Sequence, residues 1–298
     1  MIQSLIGGQM ETAIEWIFWL QAAGGEFGAT FFKSITFLGD QEFYLIMFPL
    51  IFWCIDTRLG IRVAAVYLVS TWFNLLLKEI GQQPRPFHID PAVGIIDETG
   101  YGMPSNHAQA TTVIFGVLAH RIGRRWGWIT AGLVALLVGF SRIYLGVHFP
   151  LQVLLGWTIG ILFLWFYISY AGTIENRLAQ LSMQQHLVLS TFSMVVLSFV
   201  TSFEDNIAAL GTLWGLWCGV AILTEWRVQF SAAGSFWQRL GRFLIGIVGV
   251  ALIYAGLSAI FPDDGEQFFL LFRFIRYGLL GLFVSFGGPW LFTKMRLA

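Results

Sequence analysis

The chain has 298 residues, 57% of them hydrophobic and only 11% charged, and its 17 basic and 17 acidic side chains cancel. This balance excludes a soluble globular domain, which needs more polar surface, and a nucleic-acid binder, which needs a basic face. Apolar stretches long enough to cross a hydrocarbon core indicate an all-α, multi-pass transmembrane helical bundle.

No Lys or Arg precedes Lys33, and the apolar stretch Ile14 to Leu20 lies among Glu11, Glu15 and Glu26. A cleavable signal peptide has a basic start, so no targeting segment is read here. Between positions 10 and 38, apolar residues mix with Glu15, Gly24, Gly25 and Lys33, which suits helices lying in the membrane interface. Residues 1–40 are therefore expected to form an N-terminal interfacial helical segment. Spanning helices are expected at about 41–56, 59–80, 105–120, 127–145, 149–170, 186–202, 207–223, 243–261 and 267–292, nine in all. Residues 41–170 read as a catalytic helical core and 171–298 as a C-terminal four-helix membrane extension. Cys54 and Cys218 fall inside apolar segments, where neither a disulfide framework nor a cysteine metal site is expected.

In this topology Arg58, Arg62, Arg121, Arg124, Arg125, Arg177, Arg227, Arg239, Arg242, Lys294 and Arg296 fall on one face. Lys33, Lys78, Arg85, Arg142, Arg273 and Arg276 fall on the other, and eleven against six marks the first face as cytoplasmic. Lys78, Arg85 and Arg142 belong to a cluster with chemical character. Pro104-Ser105-Asn106-His107 opens one apolar helix, Ser141-Arg142 closes another, His148 follows, and Lys78 and Arg85-Pro86 close a third. Histidine and arginine are costly near a bilayer, so such a cluster points to chemistry, and this one suits a phosphate facing away from the cytoplasm. His88, His120 and His186 lack such company and read as interfacial side chains, Arg273 and Arg276 as cations snorkelling to the interface, and the 13 Trp and 29 Phe as lipid-facing surface.

These residues resemble the type 2 phosphatidic acid phosphatase superfamily. Its pattern is Lys, six residues, Arg-Pro; then Pro-Ser-Gly-His; then Ser-Arg, five residues, His, three residues, Asp. Lys78 to Arg85-Pro86 is similar to the first element, and Pro104-Ser105-Asn106-His107 to the second with Asn in place of Gly. Ser141-Arg142 and His148 match the third, with Gln152 where the family usually has Asp. In motif detail the chain is most similar to the glucose-6-phosphatase and dolichyl-diphosphatase branches, both of which carry Gln there.

The resemblance implies that His148 attacks phosphorus to form a phosphohistidine, while His107 protonates the leaving group and later activates water. Metal-free transfer of this kind needs a nucleophile, an acid and fixed positive charge, and no cofactor or metal is expected. Lys78, Arg85 and Arg142 would supply that charge, Ser105 a hydroxyl, and Asn106 a place at a helix start where backbone N–H groups hold an oxyanion. Gln152, one turn after His148, would orient its ring without adding charge, leaving Asp97 or Glu98 as loop carboxylates that could approach it.

The expected substrate is a lipid phosphate or prenyl diphosphate, with Phe87, Val93, Ile95 and Ile96 of loop 81–104 against its tail. Two alternatives stand beside it: a soluble sugar phosphate, and a catalytically weak phospholipid-binding or phosphotransfer protein. Membrane lipids and a phosphorylated substrate are the expected partners, without nucleic acid.

Overall fold

The computed structural model describes residues 2–201 and 203–298, with side chains from Met10 onward, and every regular element among them is helical. In chain order these are α1 (Ile2–Thr36), a 3₁₀ turn (Phe37–Gly39), α2 (Gln41–Cys54), α3 (Thr57–Gly81), α4 (Pro86–Ile89) and a second 3₁₀ turn (Pro91–Val93). Then come α5 (Asn106–Ile122), α6 (Arg125–Tyr144), α7 (Pro150–Leu178), α8 (Met183–Ser198), α9 (Glu204–Glu225) and α10 (Phe236–Ser258). The last run is α11 (Phe269–Leu282), a π-helical segment (Phe283–Gly287) and α12 (Gly288–Lys294).

Six of these segments are long and apolar enough to cross a membrane, or seven if Met10–Gly39 and Gln41–Cys54, bent by 48° at their junction, form one span. The remaining predicted spans coincide with α2, α5 and α8, which have 14, 17 and 16 residues. At 1.5 Å per residue, a helix the length of α5 reaches about 26 Å, short of a hydrocarbon core of roughly 30 Å. Length and composition thus give six or seven spans, where the sequence suggested nine.

The chain divides into two compact units, and the first joins the segment ending at Tyr44 to Phe73–Ile168. In it α1 packs against α6: Ile14 and Ile17 are buried with Ile143 and Val93, and Gln21 Nε2 donates to the carbonyls of Val93 and Tyr144 at 2.9 and 2.8 Å. Gly25 (φ 54°) puts a kink in α1 that a residue with a Cβ would resist. The second unit joins Leu45–Trp72 to Ser169–Ala298. Its α9 and α11 meet along Gly211, Gly215 and Gly281, where an added Cβ would strike the facing backbone, the close approach that small residues allow between membrane helices. Inside the π-helical segment the Val284 carbonyl accepts from Trp53 Nε1 at 2.9 Å.

Candidate active site

The predicted residues Lys78, Arg85, Ser105, Asn106, His107, Arg142, His148 and Gln152 all lie in the first unit. His148 is placed by the end of α6. Gly146 takes a left-handed conformation (φ 72°), and the Val147 and His148 N–H groups both return to the Arg142 carbonyl, at 3.2 and 3.1 Å. A Cβ on Gly146 would collide with the Val93 carbonyl, so glycine is required there on two counts.

His148 is 1% exposed, and its two ring nitrogens have different neighbours. Nδ1 lies 3.1 Å from Gln152 Oε1, and Nε2 lies 3.2 Å from Arg85 Nη1. The Gln152 amide is oriented by the backbone on both sides: Oε1 accepts from Phe149 N–H at 3.2 Å, and Nε2 donates to the Pro84 carbonyl at 2.8 Å. The oxygen therefore faces His148, so Nδ1 carries the proton and the Nε2 lone pair points toward Arg85. Burial, then the charges of Arg85, Lys78 and Arg142, hold the imidazole well below the usual histidine range.

Arg85 is itself a fixed part of the frame. Its guanidinium donates to the carbonyls of Gly100, Thr99 and Val147 at 2.9, 2.8 and 3.1 Å, which ties the loop before α5 to the turn that carries His148. Arg142 donates to Thr36 Oγ1 at 2.7 Å and to Glu98, and Glu98 also pairs with Arg85 at 3.7 Å. Burial alone would raise the Glu98 carboxyl, but the charges of Arg142, His107 and Arg85 outweigh it and hold the group below the usual carboxylate range. Of the two loop carboxylates considered as partners for His148, Asp97 and Glu98, the second joins the two arginines.

Three buried polar atoms at predicted phosphate-binding positions have no hydrogen-bond partner: Ser105 Oγ, Asn106 Oδ1 and Arg142 Nε. Ser105 stands at the N-cap of α5, where a serine hydroxyl ordinarily accepts from the helix backbone, yet it makes no such bond. Its main chain is pinned, N–H to the Gln152 carbonyl at 2.9 Å, so the α5 start and the His148 turn are held together. Unpartnered buried polar atoms are costly, and an anion bound among the cations would satisfy the donors among them.

His107 lies in the first turn of α5, with Nε2 2.7 Å from Asp40 Oδ1. Asp40 was not singled out in the sequence, because it precedes α2 in a position that reads as a helix cap and lies 67 residues from its partner. Of the residues expected beside a lipid tail, Val93 is buried with Ile143 and Phe149, and Phe87, Ile95 and Ile96 are partly buried against Tyr144, Leu145 and Val147. His88 accepts from the Arg85 N–H at 3.2 Å, and His186 from Trp217 Nε1 at 2.9 Å.

A model of the PAP2 superfamily matches residues 59–175, and one described as PAP2 superfamily phosphatase, transmembrane extension, matches residues 207–298. The chain is 31% identical to sphingosine-1-phosphate phosphatase 1 of Mus musculus, the alignment covering 87% of this chain and 70% of that protein. The namesake from Rattus norvegicus is 32% identical over 62% of this chain, which spans 46% of its length. Glucose-6-phosphatase 3 of Bos taurus is 32% identical over 44% of this chain and 45% of its own. Family matches over both parts of the chain, and an alignment that spans most of the mouse protein, establish that this integral membrane protein belongs to the PAP2 superfamily.

Proposed function

We propose that the chain is a metal-independent phosphatase that hydrolyses a lipid phosphate or prenyl diphosphate through a phosphohistidine on His148. The observation that carries this is the buried His148 ring, its Nδ1 proton held by an amide whose orientation the backbone dictates and its Nε2 directed at Arg85. In-line attack by Nε2 breaks the phosphorus–oxygen bond, His107 donates a proton to the leaving oxygen, and the same residue then takes a proton from the water that resolves the intermediate. Lys78, Arg85 and Arg142, with Ser105 Oγ and the α5 start at Asn106, balance the charge on the phosphoryl oxygens. Gln152 orients the nucleophile. This scheme draws its positive charge from the side chains of the chain itself.

The mouse relative's name specifies a long-chain base phosphate, and a lipid substrate suits a site carried by membrane helices. A sugar phosphate is the second reading, supported by the glucose-6-phosphatase 3 alignment. We further propose that α2, α5 and α8 complete nine spans beside the six longer segments, that residues 1–40, 41–170 and 171–298 act as interfacial, catalytic and extension segments, and that the site opens on the non-cytoplasmic face. The excess of Arg and Lys on the opposite face supports this orientation.

The test is phosphate release by the purified chain in detergent with EDTA, offered sphingosine 1-phosphate, phosphatidic acid, a prenyl diphosphate and glucose 6-phosphate. Release should survive chelation, favour a lipid substrate, and fall about 10⁴-fold or more in His148→Ala. Acid quenching of the wild type with a ³²P-labelled substrate should trap label on the protein. A folded, phosphate-binding chain that releases nothing would replace this proposal with a binding role, and transfer of label to an added alcohol in place of water would replace hydrolysis with phosphotransfer.

A further inference from the structure

The half-buried His107 and the buried His148 share the same cations but have unlike partners. His148 is held by a neutral amide oxygen at 3.1 Å, His107 by a carboxylate oxygen at 2.7 Å. An amide fixes a tautomer and adds no charge, which suits a neutral nucleophile. A carboxylate also stabilises the cationic ring, which suits a group that must arrive protonated.

Asp40 has an ordinary structural use, and its main chain fulfils it. Its N–H closes the 3₁₀ turn on the Phe37 carbonyl at 3.1 Å, and its carbonyl accepts the Tyr44 N–H at 3.4 Å as α2 begins. The side chain is directed elsewhere, to His107 Nε2. The neighbouring Gly39 has no Cβ, and one built there would lie 2.6 Å from His107 Cδ2, so the Cδ2–Nε2 edge of the ring rests on Gly39 and Asp40. Nδ1 is on the other edge.

We propose that Asp40 is a positioning residue for His107: its carboxylate holds the Nε2 proton, leaves Nδ1 to exchange a proton with the substrate, and favours the imidazolium required of a general acid. The proposal rests on the phosphatase reading above. In the first step the bond from His148 Nε2 to phosphorus forms, the bond from phosphorus to the leaving oxygen breaks, and the His107 Nδ1 proton passes to that oxygen, leaving His107 neutral with Nε2–H on Asp40. In the second, His107 Nδ1 takes a proton from water, the water oxygen bonds to phosphorus, the nitrogen–phosphorus bond breaks, and the imidazolium is restored.

The test compares two phosphate monoesters on the full chain in detergent: an alkyl phosphate, whose leaving oxygen needs a proton, and p-nitrophenyl phosphate, whose leaving group departs without one. In Asp40→Asn, kcat/KM for the alkyl ester should fall about 100-fold and that for the nitrophenyl ester less than about 10-fold, since general acid catalysis acts on the poorer leaving group. Asp40→Glu should recover part of the alkyl rate, and vanadate should inhibit the variants as it does the wild type. Equal losses on both esters, with vanadate inhibition retained, would overturn the role of Asp40 while leaving the phosphatase reading intact. If Asp40→Asn no longer binds vanadate, the same ratio in Asp40→Glu decides: a preferential alkyl deficit supports the proposal, and an even one overturns it. A wild-type chain inert on both esters would overturn the phosphatase reading and this proposal together.

Discussion

In the proposed mechanism, the nucleophilicity of His148 turns on where one proton sits. Gln152 Oε1 faces Nδ1 because its own amide is held by Phe149 N–H and the Pro84 carbonyl, so Nε2 keeps its lone pair. Protonation of that nitrogen would end nucleophilic attack, and burial with Arg85, Lys78 and Arg142 holds the ring well below its ordinary value of 6.5. The sign follows: the ring charges only at a pH lower than that of a free histidine, so the acid limb of kcat/KM should lie below about 6.5 once the substrate's own ionisation is taken into account. Gln152→Glu sets a carboxylate against Nδ1, favours the imidazolium, and should move that limb to higher pH. The same change leaves the Pro84 carbonyl facing an oxygen, at a cost of roughly 1–3 kcal/mol in stability that a thermal melt would register. At this scale the charged and polar members of the proposed cradle were legible as residue types at fixed spacings. Asp40 was not, because a single aspartate before a helix reads as a cap and its partner is distant in sequence.

Elements bring those residues within reach of one another through close backbone approach. The N-terminal part of α7 lies on α5 at Gly156, where a Cβ would strike the Ser105 carbonyl, and at Gly160, where one would come within 2.8 Å of Thr112 Cβ and 2.9 Å of the Gln109 carbonyl. This glycine pair, four residues apart, keeps Ser105 bonded to Gln152 across the two helices. Gly160→Leu should force them apart, lowering thermal stability in detergent by roughly 1–3 kcal/mol and reducing phosphate release, both read on the purified variant. The helices were legible from apolar run length. Their ends were less so: α2 and α8 stop at Cys54 and Ser198, short of the predicted 56 and 202, while α5 runs on to Ile122, past the predicted 120. Loop 81–104 was read as a lipid-contacting cap, but hydrophobicity alone cannot tell a side chain facing lipid from one facing the protein. Ile95 and Ile96 are partly buried against Tyr144, Leu145 and Val147.

For the molecule as a whole, orientation is the property with a direct test. Cys54 and Cys218 are both buried, so single cysteines added in a background lacking them would report on chosen loops. A cysteine at Asp97 should react with an impermeant maleimide from the non-cytoplasmic side, and one at Arg124 only from the cytoplasmic side; the reverse labelling would invert the proposed orientation. Sequence by itself determined the helical class, the membrane as solvent and the motif residues of the PAP2 superfamily, because apolar run length and fixed local spacing are properties of a single segment. Tertiary structure alone decided the pairing of Asp40 with His107, the bridge from Glu98 to Arg85 and Arg142, the tautomer of His148 and the six or seven long spans. Each of these depends on where distant backbones cross or where a helix stops, and in an apolar chain many such packings share one hydrophobic pattern until side chains meet across helices.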